Sequence, residues 1–303
     1  MREPRSTSLA IARGGTGIKH SSKAGAEHLT SILKAYYRFS IDYAGSHYAR
    51  MKLGWGCDAR AVECSMPGCA QKALQELSHA PPARRRGAPP KEVPIARGQR
   101  AQYVSAGTKW PLASGEVAGI RRMAKMLQYY AGAAGAAMLR ALGDISIALG
   151  RGSATVTTQE AAKFFLGCAA CSQGASILCR ASGMILRIGS DGAHLAHPGA
   201  RSRAGGYHYL GDKKGKIFSA PIRALAQMLP RATASAAEAE LDAAYTSAKK
   251  GMALREALRH MGYPQSATPI KTDNTAAGGI IGRSRSEEHT SELQSHSDLV
   301  CRL

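Results

Sequence analysis

The stretch Met184-Ile-Leu-Arg-Ile-Gly-Ser-Asp-Gly-Ala193, MILRIGSDGA, decides how this chain is read. Apolar residues run into a single carboxylate, Asp191, where a β-strand is expected to end. Alone, Asp191 fits a turn or a hinge as well as a metal ligand, and the choice depends on whether other carboxylates are placed to meet it. The later stretch PIKTDNTAAGG repeats the arrangement: Pro269 to Thr272 forms a short strand, Asp273 sits at its end, and Asn274 opens a small-residue helix. Between them lies a helical stretch, ATASAAEAELDAAYTSAKKGMALREALRHMG, with Thr233 or Ser235 available to cap it. At about 100° per residue, Leu241, Tyr245 and Met252 fall within roughly 60° of Glu238. This wheel places Glu238 at the start of the buried stripe and Glu240 on the far side. Gly251 weakens the helix, and Leu254, Leu258 and Met261 then line another face, which predicts a kink or two helices. Three carboxylates converging on a point suit Mg²⁺, a hard cation that takes oxygen ligands. Two such ions about 4 Å apart activate a water and stabilise the leaving oxygen in phosphodiester cleavage.

Around these stretches the pattern predicts an α/β (α+β) fold. Apolar residues at helical spacing predict a helix over 26–37, two more over 116–133 and 137–149, and another over 158–168. Strands are expected at 176–178, 184–188, 206–210 and 216–218, joined by Gly, Ser and Lys-Gly turns. A further strand over 268–272 comes after the long helix. Strand, strand, strand, helix, strand is the order of a mixed sheet with one helix packed on it. Residues 80–99 read APPARRRGAPPKEVPIARGQ, whose prolines exclude a helix or central strand and mark a Pro/Arg-rich linker over 81–115. The run Arg84-Arg85-Arg86 fits a solvated linker, a phosphate contact or a localisation signal.

The 303 residues carry a formal net charge of +20. Up to residue 110 there are eighteen Lys and Arg against seven Asp and Glu, so the first third carries much of the excess. Such a field attracts polyanions: nucleic acid first, then a membrane surface. No apolar run approaches the roughly 20 residues of a membrane span, and no signal peptide pattern opens the chain. The seven cysteines form no disulfide framework, which predicts a reducing, intracellular setting, cytoplasmic or nuclear. Cys168-Ala-Ala-Cys171 is a lone CxxC without the second half of a zinc site. His194 and His197, near Asp191, read as surface loop histidines.

Together SDGAHLAHPGARSRAGGYHYLGD, ATASAAEAELDAAYTSAK and GYPQSATPIKTDNTAAGGI resemble the ribonuclease H domain that ends the polyprotein of copia-type LTR retrotransposons. The shared pattern is a strand ending in Asp, an Arg-Ser-x-x-Gly-Gly-Tyr hairpin, a Ser-x-x-Glu-Ala-Glu helix and an Asp-Asn strand end. The resemblance implies a ribonuclease H-like mixed sheet at 176–283, a site of Asp191, Glu238 and Asp273 with two Mg²⁺, and hydrolysis of the RNA strand of an RNA–DNA hybrid. Arg201 and Arg203, in the turn after the first strand, are then candidates to hold the hybrid's phosphates. No membrane and no small-molecule cofactor are implied. Upstream, GTGIKHSSKAGAEHLTSILKAYYRFSIDYAGSHYARMKLGW is similar to the end of a reverse-transcriptase palm and the region C-terminal to it, giving a unit at 1–80. MLQYYAGAAGAAMLRALGDISIAL resembles the helical connection between polymerase and ribonuclease H, at 116–175.

The chain departs from the family in two places. The paired Asp-Asp that holds the polymerase metals is replaced by Gly14-Gly15, which offer no side-chain oxygen, so DNA synthesis is not expected. The segment 284–303, containing RSEEHTSELQSHSDLVCRL, resembles the translation of a sequencing adapter and is expected to be a disordered tail. Two other readings stay open beside the enzyme: a non-catalytic nucleic-acid-binding remnant, and a decayed element without function.

Overall fold

The computed structural model describes residues 8–12, 15–19, 22–76, 110–150, 152–171, 174–197, 199–215, 217, 219–283 and 298–301. The chain opens with a two-stranded hairpin, β1 (Ser8–Ala12) and β2 (Gly15–Lys19), followed by helix α1 (Lys23–Tyr36). Strands β3 (His47–Tyr48), β4 (Met51–Gly56) and β5 (Ala61–Ser65) lead to α2 (Cys69–Glu76). Helices α3 (Ser114–Ala133), α4 (Leu139–Gly150) and α5 (Val156–Cys171) fall where the apolar spacing predicts them, with a short 3₁₀ turn at Ala136–Met138. Then come β6 (Ser176–Arg180), β7 (Ile185–His197), β8 (Arg201–Gly211) and β9 (Pro221–Met228). Helix α6 (Ala236–His260), β10 (Thr268–Lys271), α7 (Thr275–Arg283) and β11 (Asp298–Cys301) complete the described chain.

The strands form three sheets, and the largest has the order β11-β10-β7-β8-β9. Within it β7, β8 and β9 make an antiparallel meander, while β10 runs parallel to β7 at Ile270↔Ile188 and Lys271↔Gly189. The mixed α/β class expected from the sequence is therefore observed. Three boundaries differ. The strand at 176–180 pairs with β5, not with the meander, so it belongs to the sheet β3-β4-β5-β6. The third meander strand is PIRALAQM, 221–228, rather than 216–218; its Ala, Leu and Gln favour helix locally, and pairing with β8 overrides that preference. Finally, Asp298–Cys301, placed in a disordered tail by its polar sequence, pairs antiparallel with β10 along that strand's outer edge. The linker run Arg84–Arg86 and Gly14 lie outside the described residues; Gly15 opens β2.

Two cores organise the molecule. The larger gathers Tyr130, Leu127, Leu142 and Phe165 from α3, α4 and α5, with Ala224 and Ala226 of β9 packed against it. The smaller lies between α6 and the large sheet, where Ile188, Ala244, Ala248 and Ile270 meet, beside Ala204, Leu229, Ala239 and Ala243. A buried ion pair joins the two: Arg203 of β8 donates to the Asp144 carboxylate of α4 and to the Ala226 carbonyl. Burial pushes the Asp144 carboxyl up and the Arg203 guanidinium down, and the attraction between the two ions acts against both shifts.

Helix α6 is a single helix continuous through Gly251, so of the expected kink or two helices the division into two is not seen. The buried stripe is not the one carrying the large residues: Tyr245 is 64% exposed and Met252 54%. Instead Ala239, Ala243, Ala244, Ser247, Ala248 and Gly251 face the sheet. Close approach is the reason. A Cβ at Gly251 would lie 2.6 Å from Ile188 Cδ1, one at Gly206 2.7 Å from Ser247 Oγ, and one at Gly192 2.6 Å from the Ala239 backbone.

Two substitutions with the same chemistry therefore have opposite signs. Gly192→Ala drives a methyl into the Ala239–Glu240 backbone and costs about 1–3 kcal/mol. Gly119→Ala, within α3 where no neighbour stands within 4 Å, gains about 0.5–1 kcal/mol. Urea unfolding of both variants checks the contrast; equal signs would contradict the close packing of α6.

Candidate metal centre

Asp191 is carried by β7, whose register pairs it with Gly205 of β8. The strand does not stop there: it continues to His197, with an irregularity between Ala193 and His197. β10 flanks β7 only as far as Gly189, so Asp191 stands just past the end of its parallel neighbour, exposed. Asp273 follows β10 by two residues and is exposed as well. Its placement is built by the preceding loop. The Gln265 side chain accepts from Leu186 N–H (2.9 Å) and donates to Met184 O (2.8 Å), fastening the approach to β10 onto the start of β7. Arg255 of α6 holds the same loop through the Ser266 carbonyl and the Thr268 hydroxyl. Asn274 then accepts from Ala277 N–H at 3.0 Å and opens α7, as its sequence position suggested.

The third member is Glu240, and this corrects the expectation of Glu238. One carboxylate oxygen each from Asp191, Glu240 and Asp273 lies within 4.8 Å of the others. Glu238 is occupied elsewhere. Ser235 caps α6 by accepting from Glu238 N–H (3.2 Å), and the Glu238 carboxylate accepts from the N–H of Ala234, just before the cap (2.6 Å). The wheel failed because it was anchored on bulky residues. The alanines at 239, 243, 244 and 248, paired at four-residue spacing, were the available signal, and Glu240 is flanked by that stripe.

Glu240 is only 6% exposed. Thr272 Oγ1 donates to its carboxylate at 3.1 Å, and the Gly192 N–H donates as well. Burial pushes its carboxyl above the usual range, those two hydrogen bonds hold it down, and the charges of Asp191 and Asp273 push it up again. A buried carboxylate beside two more carries an electrostatic penalty that a bound divalent ion would relieve. The donors are all hard oxygens, and two of the three groups are open to solvent, so an ion held here keeps water among its ligands.

The arginines expected at a phosphate are placed differently. Arg203 is buried, and beyond Asp144 and Ala226 its Nε donates to His197 Nε2 at 2.8 Å, so its guanidinium is spent inside the molecule. Arg201 is half-buried and donates to Leu229 O at 3.1 Å. Of the two histidines near Asp191, His194 meets the Thr233 hydroxyl at 3.1 Å and His197 the arginine, so neither joins the carboxylates. Cys168 is buried in α5, and among the described residues the carboxylate trio is the one cluster suited to a metal. No helix among the described residues is long and apolar enough to cross a membrane. Compared with protein-family models, with characterised proteins and with solved structures, the chain matches none.

The Glu240 carboxyl sets a pH dependence. Because its folded value is raised above the ordinary 4.5, the metal-free fold holds this proton more tightly than the unfolded chain does. That contribution is complete below the ordinary value and is lost as pH rises through the folded one. Thermal melts without metal should therefore show the site's contribution declining with rising pH, and Mg²⁺ should reverse the trend by favouring the ionised form. Glu240→Gln should abolish both effects and weaken Mn²⁺ or Mg²⁺ binding about tenfold or more in calorimetry. Glu238→Gln should leave the ion's affinity unchanged.

Proposed function

We propose that this chain carries a ribonuclease H-type nuclease site that hydrolyses the RNA strand of an RNA–DNA hybrid with two Mg²⁺, in a fragment of a copia-type retrotransposon polyprotein. The observation that carries the reading is the meeting of Asp191, Glu240 and Asp273, since these three residues come from three separate motifs of the resemblance. The element order supports it: the Asp strand, the Arg-Ser-x-x-Gly-Gly-Tyr strand, the Glu-Ala-Glu helix and the Asp-Asn strand end follow one another in that order, with β9 between the second and third, as parts of one sheet-and-helix unit. Position by position, the first Glu of the helix motif caps the helix and the second, Glu240, takes the ligand role.

In this reading Asp191, Glu240 and Asp273 hold the ions, which supply an activated water and neutralise charge developing on the phosphodiester. The chain's own contribution is positional. Thr272 and the Gly192 N–H orient the Glu240 carboxylate, and the absence of a side chain at Gly192 lets the Ala239–Glu240 backbone come near enough for that bond. Gly14 and Gly15 provide no ligand for polymerase metals, so the proposed activity is hydrolysis without synthesis. The net charge of +20 favours a polyanionic partner.

The test is cleavage of a labelled RNA–DNA hybrid by the full chain with Mg²⁺. Asp191→Asn, Glu240→Gln and Asp273→Asn should each lower the rate by about 10²-fold or more, the scale of losing a group that stabilises developing charge. Glu238→Gln should stay within a few-fold of the parent protein. Equal background rates in all five proteins would end the nuclease reading.

A further inference from the structure

The four-stranded sheet carries a second concave site, which shares no residue with the carboxylate trio. Its register sets Trp55 of β4 opposite Val62 of β5, and Val62 opposite Cys179 of β6, so these three side chains lie on one face. That face borders a cavity of about 350 Å³, lined also by Met184, just before β7, and Ile222 of β9. The volume falls at the small end of the range for ligand sites, about 300–1,000 Å³. Arg60, exposed at the start of β5, stands at the same cavity.

Trp55 sets this cavity apart from an ordinary surface hollow. The side chain is 57% exposed, yet it is held in place. Its indole Nε1–H donates to Gly45 O at 2.9 Å. Gly45, at a φ of 60°, lies against the edge of the ring, where an added Cβ would come within 3.5 Å of Nε1. The loop that carries Gly45 is itself fastened. The Asp42 carboxylate accepts from Ser46 Oγ (2.8 Å) and from His47 N–H (3.0 Å), and Leu53 N–H donates to Ser46 O (2.8 Å). An aromatic ring fixed at its edge loses little freedom when another ring is laid on its face, so stacking there costs little entropy.

We propose that this cavity binds one base of single-stranded nucleic acid, stacked on Trp55, with the adjoining phosphate at Arg60. The chemistry of the site selects that occupant. A nucleobase is a flat ring that stacks on an indole whatever its sequence identity. Within a duplex each base is covered by its neighbours, so only an unpaired one can lie on a protein ring. Arg60 and the net charge of +20 complement a chain of phosphates. At about 3.3 Å per residue, the stretch from Met184 at the cavity to Asp191 spans roughly 23 Å. That is roughly seven base steps at about 3.4 Å each, so a single-stranded end projecting from a hybrid at the carboxylates reaches the cavity. The link to a hybrid rests on the proposed nuclease function; the stacking does not.

The chain has two tryptophans, and Trp110→Phe leaves Trp55 as the one indole reporter. Titration of that variant with oligothymidylate in EDTA, where metal-dependent cleavage is silent, should quench its emission, and a blunt DNA duplex at equal concentration should not. In the full chain Trp55→Ala should weaken single-strand binding about tenfold, and Trp55→Phe should restore most of the loss. Arg60→Ala should flatten the dependence of affinity on salt. Asp191→Asn should leave the quenching in place, so loss of cleavage and loss of stacking are separate results. The fluorescence titration keeps residue 55 intact and decides the matter even if Trp55→Ala folds poorly. Emission unmoved by the single strand, equal quenching by the blunt duplex, or parental affinity in a folded Trp55→Ala would each overturn the proposal.

Discussion

The structure depends on how near α6 can come to the large sheet. Glycine at 192 and 206 and small residues along one side of the helix let the two backbones approach until a single methyl group would collide. That proximity brings the Gly192 N–H within reach of the Glu240 carboxylate and draws the helix start toward Asp191. The apolar gain per residue is modest, because alanines bury little surface. What the small residues contribute is geometry: a helix standing farther off, on leucines, would leave Glu240 unable to meet the aspartates.

A second constraint fixes the sheet against the helical core. Arg203, Asp144 and His197 form a charged junction in which burial works against both ions, and the pairing compensates. Such junctions define a unique docking more than they add stability. Arg203 immediately precedes Ala204 and Gly205, the latter facing Asp191, so the strand that borders the carboxylates is also the strand anchored to α4. Residues that looked like phosphate contacts in the sequence thus serve the architecture.

Much of the fold was legible because periodicity reports burial directly. The helices at 116–133 and 137–149, the long helix and the strand before Asp273 all declare themselves through apolar spacing. The strand at 221–228 did not, since its residues prefer helix and only its neighbour makes it a strand. Nor did the assignment of 176–180 to a different sheet, which depends on pairing with residues more than a hundred positions earlier. At the site, Asp191 and Asp273 were visible as carboxylates that follow apolar strand residues, although β7 runs on past Asp191 to His197. Glu240 was hidden because a wheel weighted by bulk looks for large residues, whereas this interface is selected for smallness. Gly251 was misread for the same reason: a residue that weakens an isolated helix is here the place where Ile188 fits.

The bonds that tie Glu238 to Ser235 and Ala234 do more than finish a helix. They determine the residue at which α6 begins, and a helix that begins at a fixed point has its angular phase fixed along its whole length. Glu240 lies five residues after the cap, so its bearing toward β7 is inherited from Ser235. A single residue inserted between the two would swing the carboxylate about 100° around the axis, even with every acidic residue retained. The spacing of Ser-x-x-Glu-x-Glu is therefore a rotational setting: its first acid clamps the dial, and its second is the mark the dial points to.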